Sequence, residues 1–476
     1  MRHSQEFYIN GVWTTPLGNK TLSVINPATE KPVATLALGT AEDVQSAVAA
    51  AKKAFNSWSS STRAERLVVL QKILDIYQRR SEDMAQAISL EMGSPIERAR
   101  DSQTWAGQAH IAEMIEALKR FVFEEKRDHC LITREAVGVC ALITPWNWPM
   151  NQVTCKVAPA LAAGCTMVLK PSEVAPLSSI IFAEIVEEAG LPPGVFNMVH
   201  GTGPDVGEAL SRHPDVDMVS LTGSTRAGAA VAHAAADSIK RVHQELGGKS
   251  PNIILDDADL TEAVRSGVSN CFSNSGQSCD APTRMLVPRN RMNEALEIAR
   301  ARAEELKVGN PEDSSTDLGP VVSDLQYDRI QALIERGIAE GATLVTGGLG
   351  RPEGLSVGYY VKPTIFGNVT ADMTVFKEEI FGPVLSIIAY DDEEHAIALA
   401  HDTVYGLAAY IQSGDLERAR KIARRLRAGN VNINGSAWTV KVPFGGFGQS
   451  GNGRECSDFG LHDFTEVKAV IGWDTV

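Results

Sequence analysis

Four continuous apolar runs separated by helix-like segments constrain the fold of this 476-residue chain more than any other feature. The runs are VGVCALI (137–143), CTMVLK (165–170), VFNMVH (195–200) and VDMVSL (216–221). Helical patterns follow them at 149–163, 176–189, 204–212 and 226–238. Continuous apolar strands joined by helices predict an α/β fold with a parallel sheet covered on both faces. Ligands of such sheets bind beyond the carboxyl ends of the strands, so functional residues are expected in the strand-to-helix turns.

The rest of the chain predicts further layers around that sheet. FYINGVW contains Asn-Gly between two short β-type runs, which predicts a hairpin. Residues 41–120 carry a helical pattern interrupted by GSP at 93–95. A second α/β region follows QELGGKSPNII and extends to about residue 450. Segments 130–138 and 464–471 have strand character without a local core, so they are expected to pair with each other or with another subunit.

Bulk composition excludes several classes of function. The length exceeds that of a single core and predicts two or three domains of roughly 100 to 200 residues each. A formal charge of −14 argues against nucleic acid or an anionic membrane as a partner. The amino end resembles no leader peptide, and no apolar run reaches the roughly 18 residues that span a bilayer. Seven cysteines without a C-x-x-C pair or a Cys/His cluster predict a reducing, cytoplasmic location and no metal site.

Two turns that end predicted strands carry polar side chains. In TPWNWPMN, prolines 145 and 149 hold Asn147, whose amide could donate to an oxygen on which negative charge develops. In KPSE, Lys170 could contact a phosphate or ribose, and Glu173 could accept hydrogen bonds from ribose hydroxyls. The first motif is equally consistent with a turn whose tryptophans pack in the core, and the second with an exposed ion pair between Lys170 and Glu173. The sequence leaves the functional and the structural interpretations open.

Glycines mark three further turns. GTGPDVG (201–207) and TGSTRAG (222–228) differ from the G-x-G-x-x-G fingerprint, yet each places backbone N–H groups at a helix start, where a pyrophosphate could bind. Ser224 is equally typical of a helix N-cap. QELGGKSP places Glu245 before two glycines that allow close backbone approach. Such a carboxylate could act as a general base beside a thiol, or could be an ordinary surface glutamate before a turn.

FSNSGQSCDA (272–281) contains the cysteine, Cys279, whose surroundings most favour catalysis. Small residues and backbone donors surround Cys279, whose own N–H could form half of an oxyanion site with Asn147. A free cysteine is nevertheless most often a small buried hydrophobe, which is our interpretation of Cys271.

Taken together and in order, these motifs resemble the NAD(P)-dependent aldehyde dehydrogenase superfamily over nearly the whole chain. The matching segments are PWNWP, LKPSE, TGSTRAG, QELGGKSPNII, FSNSGQSCDA, EEIFGPV, NINGSAW, PFGGFGQSGNGRE and FTEVK. The spacing from Glu245 to Cys279 is that of hydrolytic, non-CoA-acylating members. The resemblance implies that Cys279 attacks the aldehyde, that Asn147 and the Cys279 N–H hold the oxyanion, and that Glu245 activates water to hydrolyse the thioester.

The resemblance also implies a cofactor site, a domain organisation and an assembly. It assigns NAD binding to Thr144, Pro145, Trp146, Lys170, Ser172, Glu173, Gly203, Gly207, Thr222, Gly223, Ser224, Leu246, Gly247, Glu379 and Phe381. Glu173 favours NAD, with NADP as the alternative, because a carboxylate repels a 2′-phosphate. The implied domains are a cofactor domain (1–120 and 138–247), a catalytic domain (248–450) and a small β oligomerisation region (121–137 and 451–476). A homodimer or homotetramer is expected.

One position departs from the resemblance and bears on the substrate. Asp280 occupies a place where the family more often has an apolar, thiol or hydroxyl residue, and its carboxylate would disfavour anionic aldehydes if it reached the pocket. With Trp148 and Trp438 as expected pocket walls, we predict uncharged aliphatic or aromatic aldehydes; Ser278 belongs to the same pocket without an assigned preference. A semialdehyde dehydrogenase, a CoA-acylating dehydrogenase, a cysteine hydrolase and a non-enzymatic scaffold are the alternatives.

Overall fold

Twenty strands form four sheets within residues 2–474, the part of the chain that the computed structural model describes. The strands are β1 Phe7–Ile9, β2 Val12–Thr14, β3 Thr21–Asn26, β4 Lys31–Ala37, β5 Glu124–Arg127, β6 Cys130–Ala136, β7 Val139–Ile143, β8 Thr166–Lys170, β9 Phe196–Met198, β10 Met218–Thr222, β11 Arg241–Glu245, β12 Pro251–Ile254, β13 Arg284–Pro288, β14 Thr343–Thr346, β15 Thr364–Gly367, β16 Val384–Tyr390, β17 Ala408–Gln412, β18 Asn430–Ile433, β19 Gly451–Asn452 and β20 Thr465–Ile471.

Helices cover the two large sheets. They are α1 Ala41–Ser59, α2 Arg63–Arg79, α3 Ser81–Met92, α4 Ile96–Arg98, α5 Trp105–Arg120, α6 Pro149–Ala163, α7 Leu177–Glu188, α8 Glu208–Arg212, α9 Thr225–Ala236, α10 Leu260–Phe272, α11 Met292–Glu305, α12 Asp324–Ala339, α13 Thr374–Lys377, α14 Glu393–His401, α15 Leu416–Ala423 and α16 Ser457–Asp463. Within residues 2–474, no helix is both long and apolar enough to cross a membrane.

The first large sheet contains the four apolar runs that the sequence predicted. Its order is β19-β11-β10-β7-β8-β9-β1-β2, with β7 to β11 parallel and the outer strands antiparallel. Strands β7, β8 and β10 are buried along their whole length, as expected for a sheet covered on both faces. The β1–β2 hairpin is also confirmed, and positive φ angles at Asn10 and Gly11 provide the backbone that such a two-residue turn requires.

Two predicted elements differ in extent from those observed. The run at 195–200 yields only the three-residue strand β9. The helix expected at 204–212 is divided into a π-helical turn, Gly203–Gly207, and the short helix α8. Pro204 and two glycines explain the division, because they weaken a regular helix over this stretch.

The second large sheet lies within the second predicted α/β region. Its order is β14-β15-β16-β13-β12-β17-β18, and every pair is parallel except β14 with β15. A three-stranded sheet, β20-β6-β5, pairs the two strand-like segments with each other, so that Thr465 faces Ala136 and Ile471 faces Cys130. This is one of the two arrangements that the sequence left open.

The strand β19 connects the carboxyl-terminal part of the chain to the first sheet. Gly451 and Asn452 pair antiparallel with Glu245 and Gln244 of β11, forming one edge of that sheet. The segment predicted as part of the oligomerisation region, 451–476, therefore begins in the first sheet and reaches the three-stranded sheet only with β20. The division into three domains stays a prediction.

Candidate active site

The turns after five parallel strands bring most of the predicted cofactor residues to one edge of the first sheet. Strands β7, β8, β9, β10 and β11 end at this edge. The predicted residues that follow them are Thr144, Pro145 and Trp146 after β7; Lys170, Ser172 and Glu173 at the end of β8; Gly203 and Gly207 after β9; Thr222, Gly223 and Ser224 at the end of β10; and Leu246 and Gly247 after β11. Residues that are far apart in the chain thus lie together at one edge of the sheet.

This edge has the features of a nucleotide cradle. A Cβ at Gly203 would meet no heavy atom within 4 Å. A Cβ at Gly207 would meet its nearest atoms, those of Lys170, Ile143 and Thr202, only at 3.8 to 4.0 Å. Lys170 is buried, and its ammonium donates to the Glu173 carboxylate over 3.0 Å. Ser224 caps helix α9 by accepting a hydrogen bond from the Ala227 N–H. Open space above glycines at helix starts fits a pyrophosphate, and a carboxylate beside it fits a ribose.

Two predicted residues reach the same edge from the second half of the chain. The Glu379 carboxylate accepts a hydrogen bond from the Gly248 N–H over 2.9 Å. A Cβ at Gly247 would lie 2.3 Å from that carboxylate, so a larger residue there would displace the Glu379 side chain. Phe381 has φ of 60° and presents its ring edge-on to Trp146, with 5.4 Å between ring centroids. Burial raises the pKa of Glu379 to about 7.

The loop before Cys279 is held in an unusual backbone conformation. Asn274 and Ser275 both have φ of 55°, in the left-handed region, followed by Gly276 at 73°. A Cβ at Gly276 would lie 2.0 Å from the Gly382 carbonyl oxygen, so only glycine fits there. Consecutive left-handed residues without glycine are costly and persist where the surroundings hold them. Here the surrounding residues hold the strained loop in place, and such strain is frequent near functional sites.

Buried amides provide that support and orient Asn147. The Asn147 side chain donates to the Gln277 carbonyl over 3.0 Å, which leaves its second N–H for a bound molecule. Gln103 and Asn274 both donate to the Asn147 backbone carbonyl, over 3.1 and 3.0 Å. Sequence reasoning missed Gln103, which lies in a π-helical segment, Ala99–Thr104; such segments are frequent at functional sites.

The surroundings of Cys279 favour the protonated thiol over the thiolate. Burial raises its pKa well above the ordinary value, and the carboxylates of Asp280, Glu245 and Glu379 add to the effect. A Cβ at Gly248 would lie 2.5 Å from the Cys279 carbonyl oxygen, so the segment after β11 contacts the cysteine loop directly. Since the thiolate is the reactive form, attack by this thiol requires a group that removes its proton.

Glu245 has the properties of a general base. It is the last residue of β11, is buried, and has no hydrogen-bond partner for either carboxylate oxygen among residues 2–474. Burial raises its pKa to about 7, while His243 opposes the shift. A carboxyl group that titrates near neutral pH can both accept and release a proton under working conditions. Its effect on the pKa of Cys279 shows that the two lie in one electrostatic environment.

A cavity of about 650 Å³ opens beside Cys279. All four predicted pocket residues line it: Trp148, Ser278, Asp280 and Trp438. The Trp148 indole donates to the Ser278 hydroxyl over 2.8 Å, which gives Ser278 a role that the sequence did not reveal. Further lining residues that sequence reasoning missed are Arg98, Asp101, Trp105, His110 and Tyr410. They come from distant segments with no recognisable motif, so no local pattern could have identified them.

Asp280 faces the thiol's environment rather than the bulk solvent. It lines the cavity, its backbone carbonyl accepts from the Tyr410 hydroxyl over 3.1 Å, and burial raises the pKa of its carboxyl. After burial, it is the largest contributor to the raised pKa of Cys279. The residue that departs from the resemblance therefore lines the same cavity as Cys279.

Comparison with known proteins identifies the family. The sequence model of the aldehyde dehydrogenase family matches residues 13–470. The chain belongs to the aldehyde dehydrogenase family. This aldehyde dehydrogenase is 52% identical over 475 residues to the 3-succinoylsemialdehyde-pyridine dehydrogenase of a Pseudomonas species, with 100% of both chains covered.

Solved structures agree with that assignment. A cysteine-to-alanine variant of aldehyde dehydrogenase C from Pseudomonas syringae, in complex with NAD+ and octanal, superposes on this aldehyde dehydrogenase with a TM-score of 0.99, 52% identity and coverage of 100% and 98% of the two chains. An aldehyde dehydrogenase from Bartonella henselae gives a TM-score of 0.97 at 51% identity, covering 98% and 99%. The predicted family, the fold class and, with the family, an aldehyde dehydrogenase activity are confirmed.

Proposed function

We propose that this protein oxidises aldehydes to carboxylates with NAD, using Cys279 as nucleophile, Asn147 as oxyanion donor and Glu245 as general base. The observation that carries the proposal is the meeting of two chain segments: Gly248, three residues after Glu245, packs against the backbone carbonyl of Cys279, and Cys279 lines the large cavity. The Cys279 thiol must lose a proton when it attacks, and the Glu245 carboxylate can take a proton from water near neutral pH. Both properties match this chemistry.

The residues divide the reaction between them. The Cys279 sulfur bonds to the aldehyde carbon as its proton passes to water in the cavity, and the second N–H of Asn147 with the Cys279 N–H stabilises the oxygen that gains negative charge. Bound NAD would supply the acceptor for the hydride that leaves the same carbon. Glu245 then takes a proton from the water that attacks the thioester, which releases the carboxylate and restores the thiol.

The cofactor site favours NAD over NADP. Lys170 and Glu173 would contact the adenosine ribose, Ser224 and the glycine turns a phosphate, and Glu379 with Phe381 the nicotinamide half. The Glu173 carboxylate is paired with Lys170 at 3.0 Å, so a 2′-phosphate would have to compete for that ammonium. We expect a higher kcat/KM with NAD than with NADP. Glu173→Gln should lower the ratio of the two kcat/KM values, whereas Glu208→Gln, on the exposed surface of α8, should leave that ratio unchanged.

The cavity favours uncharged aliphatic or aromatic aldehydes. Three tryptophans, Trp105, Trp148 and Trp438, line it, and they provide apolar area for a chain or a ring. Asp101 and Asp280 outnumber Arg98 among the lining residues, apart from Glu455, whose charge is paired with Lys156, so an anionic substrate meets net repulsion. The octanal bound to the Pseudomonas syringae relative has the predicted chemistry.

A semialdehyde is the second candidate. Arg98 lines the cavity, donates to the Ser273 hydroxyl over 2.7 Å, and has an Nε without a hydrogen-bond partner among residues 2–474. Such a guanidinium could bind a second oxygen of the substrate. The related 3-succinoylsemialdehyde-pyridine dehydrogenase of a Pseudomonas species is named for a semialdehyde substrate, which supports this second candidate.

One panel of aldehydes separates these candidates and tests the whole assignment. Octanal and benzaldehyde should give a higher kcat/KM than succinic semialdehyde, and Asp280→Asn should narrow the gap. A preference for succinic semialdehyde that Arg98→Leu abolishes would instead establish the second candidate. Cys279→Ala should remove all activity while Cys271→Ala, at a fully buried cysteine away from the cavity, should not; turnover by the Cys279 variant would refute the nucleophile.

Three wider expectations belong to the same proposal. Glu245 favours hydrolysis over transfer to CoA, so turnover should not require CoA. His110, the histidine that lines the cavity, bonds Asn151 at 2.7 Å, which disfavours a cysteine–histidine hydrolase. Exposed Val467 and Ile471 on β20 support the predicted homodimer or homotetramer, and seven unpaired cysteines support a reducing, cytoplasmic environment. Light scattering of the purified protein tests the assembly.

A further inference from the structure

A buried histidine that the mechanism above does not use lies beside the general base. His243 and Glu245 are two positions apart on β11, so their side chains lie on the same face of the strand. The Nε2 atom of His243 is 3.9 Å from Oε1 of Glu245, and both side chains are almost completely buried. The sequence offered no motif for this histidine.

A second carboxylate holds the other side of the ring. Nδ1 of His243 is at ion-pair distance, 2.8 Å, from Oδ2 of Asp463 on helix α16, although neither ring nitrogen has hydrogen-bond geometry to a partner within residues 2–474. Asp463 is itself fixed, because the same oxygen accepts a hydrogen bond from the Arg454 N–H over 2.8 Å. A Cβ at Gly453 would lie 2.9 Å from the imidazole, so the backbone before α16 closes over the ring. His243 is thus clamped between a partly exposed carboxylate and the buried base.

The clamp decides the charge of the imidazole. Burial alone lowers the pKa of His243, but the carboxylates of Asp463 and Glu245 outweigh burial and raise it to about 9. The ring is therefore an imidazolium at neutral pH. Its charge in turn lowers the pKa of Glu245, against the larger effect of burial.

Other charged groups surround the pair and must be considered with it. Lys156 on α6 and Glu455 before α16 act on both His243 and Glu245, and the thiols of Cys279 and Cys456 lie in the same field. Lys156 is bound to Glu455 over 2.5 Å, so these two charges largely cancel as seen from the base. The imidazolium of His243 is balanced on its far side by Asp463.

We propose that His243 is a positioning residue that increases the ionised fraction of Glu245 at neutral pH, and that Asp463 holds it in that role. The inference rests on the proposed function, in which Glu245 is the base for thioester hydrolysis. An imidazolium beside the carboxylate favours its charged form, which is the form that accepts the proton of the attacking water. Without the imidazolium, burial and Glu455 act on the base with less opposition.

The decisive variant is His243→Gln, which keeps a polar side chain of similar size and removes the charge. We expect the acidic limb of the kcat profile with octanal to move up by about one pH unit, which lowers kcat about tenfold at pH 6.5. At pH 9.5 kcat should be within about twofold of the wild-type value. The burst of reduced cofactor in the first turnover, which precedes hydrolysis, should be retained.

Controls separate this role from a structural one. Asp463→Asn, at a partly exposed side chain, should move the limb in the same direction and provides the test if the first variant is unstable. His233→Gln, at an exposed histidine of α9, should leave the profile unchanged. A uniform loss at all pH values, or an unmoved limb in both variants, would overturn the inference.

The proposed function fails separately. If Glu245→Gln retained wild-type turnover at pH 7.5, the assignment of the base would be wrong. If Glu245→Gln lost turnover but His243→Gln kept the wild-type profile, only the inference about His243 would fail.

Discussion

The buried ion pair between Lys156 and Glu455 permits a quantitative prediction about stability. The Lys156 ammonium donates to Glu455 Oε1 over 2.5 Å and to the Ser220 hydroxyl over 3.1 Å, and the two charged side chains are 0% and 6% exposed. Burial alone lowers the pKa of Lys156, and Glu455 is the first group that opposes this effect. Glu455→Gln keeps the shape of the side chain and leaves the ammonium without its counter-charge.

The expected cost follows from two estimates. Breaking a buried pair by removing one partner costs about 3–5 kcal/mol. The variant can escape part of that cost by releasing the lysine proton, and moving the group from its ordinary pKa of about 10.4 to neutrality at pH 7 costs about 4.6 kcal/mol. We therefore expect Glu455→Gln to lower the free energy of unfolding by about 4 kcal/mol at pH 7.

The pH dependence identifies the cause. If the folded variant holds a neutral lysine, the unfolded chain binds more protons, so stability rises with pH by about 1.4 kcal/mol per unit up to about pH 10.4. The loss relative to wild type should shrink to about 1 kcal/mol at pH 9. Urea unfolding followed by tryptophan fluorescence at pH 7, 8 and 9 measures both quantities.

A double variant is the matched control. Lys156→Met with Glu455→Leu removes both charges and should recover most of the lost stability, because replacing a whole buried pair by apolar side chains is often neutral. A loss below about 1 kcal/mol for Glu455→Gln at pH 7, or an equal loss at pH 9, would refute this account of the pair.

Three further variants test the site. Glu245→Gln should lower steady-state turnover by about 10²–10⁴-fold and keep the first-turnover burst, measured by stopped-flow absorbance; a lost burst would place Glu245 in the earlier step. Ser278→Ala leaves the Trp148 indole without its acceptor and should raise KM for octanal about fivefold to tenfold with kcat within about twofold, whereas an unchanged KM would show that the tryptophan needs no such anchor. Gly248→Ala pushes a Cβ against the carbonyl of Cys279 and should reduce kcat about 100-fold in a protein with an unchanged circular dichroism spectrum; normal turnover would contradict the close contact.

Much of the first sheet was predictable because local physics determines it. Continuous apolar runs such as 137–143 can be buried only where both faces are covered, and the turns after them can only lie at one edge. Lys170, Glu173 and Ser224 therefore lie at the carboxyl edge of that sheet, while their contacts with a cofactor stay a prediction. The hairpin at Asn10 and Gly11 was equally local, since few residues accept its backbone angles.

The features that the sequence did not reveal depend on long-range contacts. Gln103 supports the Asn147 carbonyl across 44 positions, and Arg98 reaches Ser273 across 175. His243 gains its charge from Asp463, which lies on a helix near the other end of the chain. A single sequence without a motif cannot indicate such pairs, because each residue alone is an ordinary polar side chain.

The position of β19 has a consequence for synthesis of the chain. Strand β11, with Glu245 at its end, has one edge covered by β19, which is made about 200 residues later. At about 5–20 residues per second, a ribosome needs roughly 10 to 40 s to supply the missing strand. During that interval the nascent first sheet exposes unpaired backbone groups beside its future base. The nascent chain is thus prone to aggregate at the strand edge that ends in the future general base. We expect chaperones to stay bound to the nascent chain until residue 452 has emerged from the ribosome.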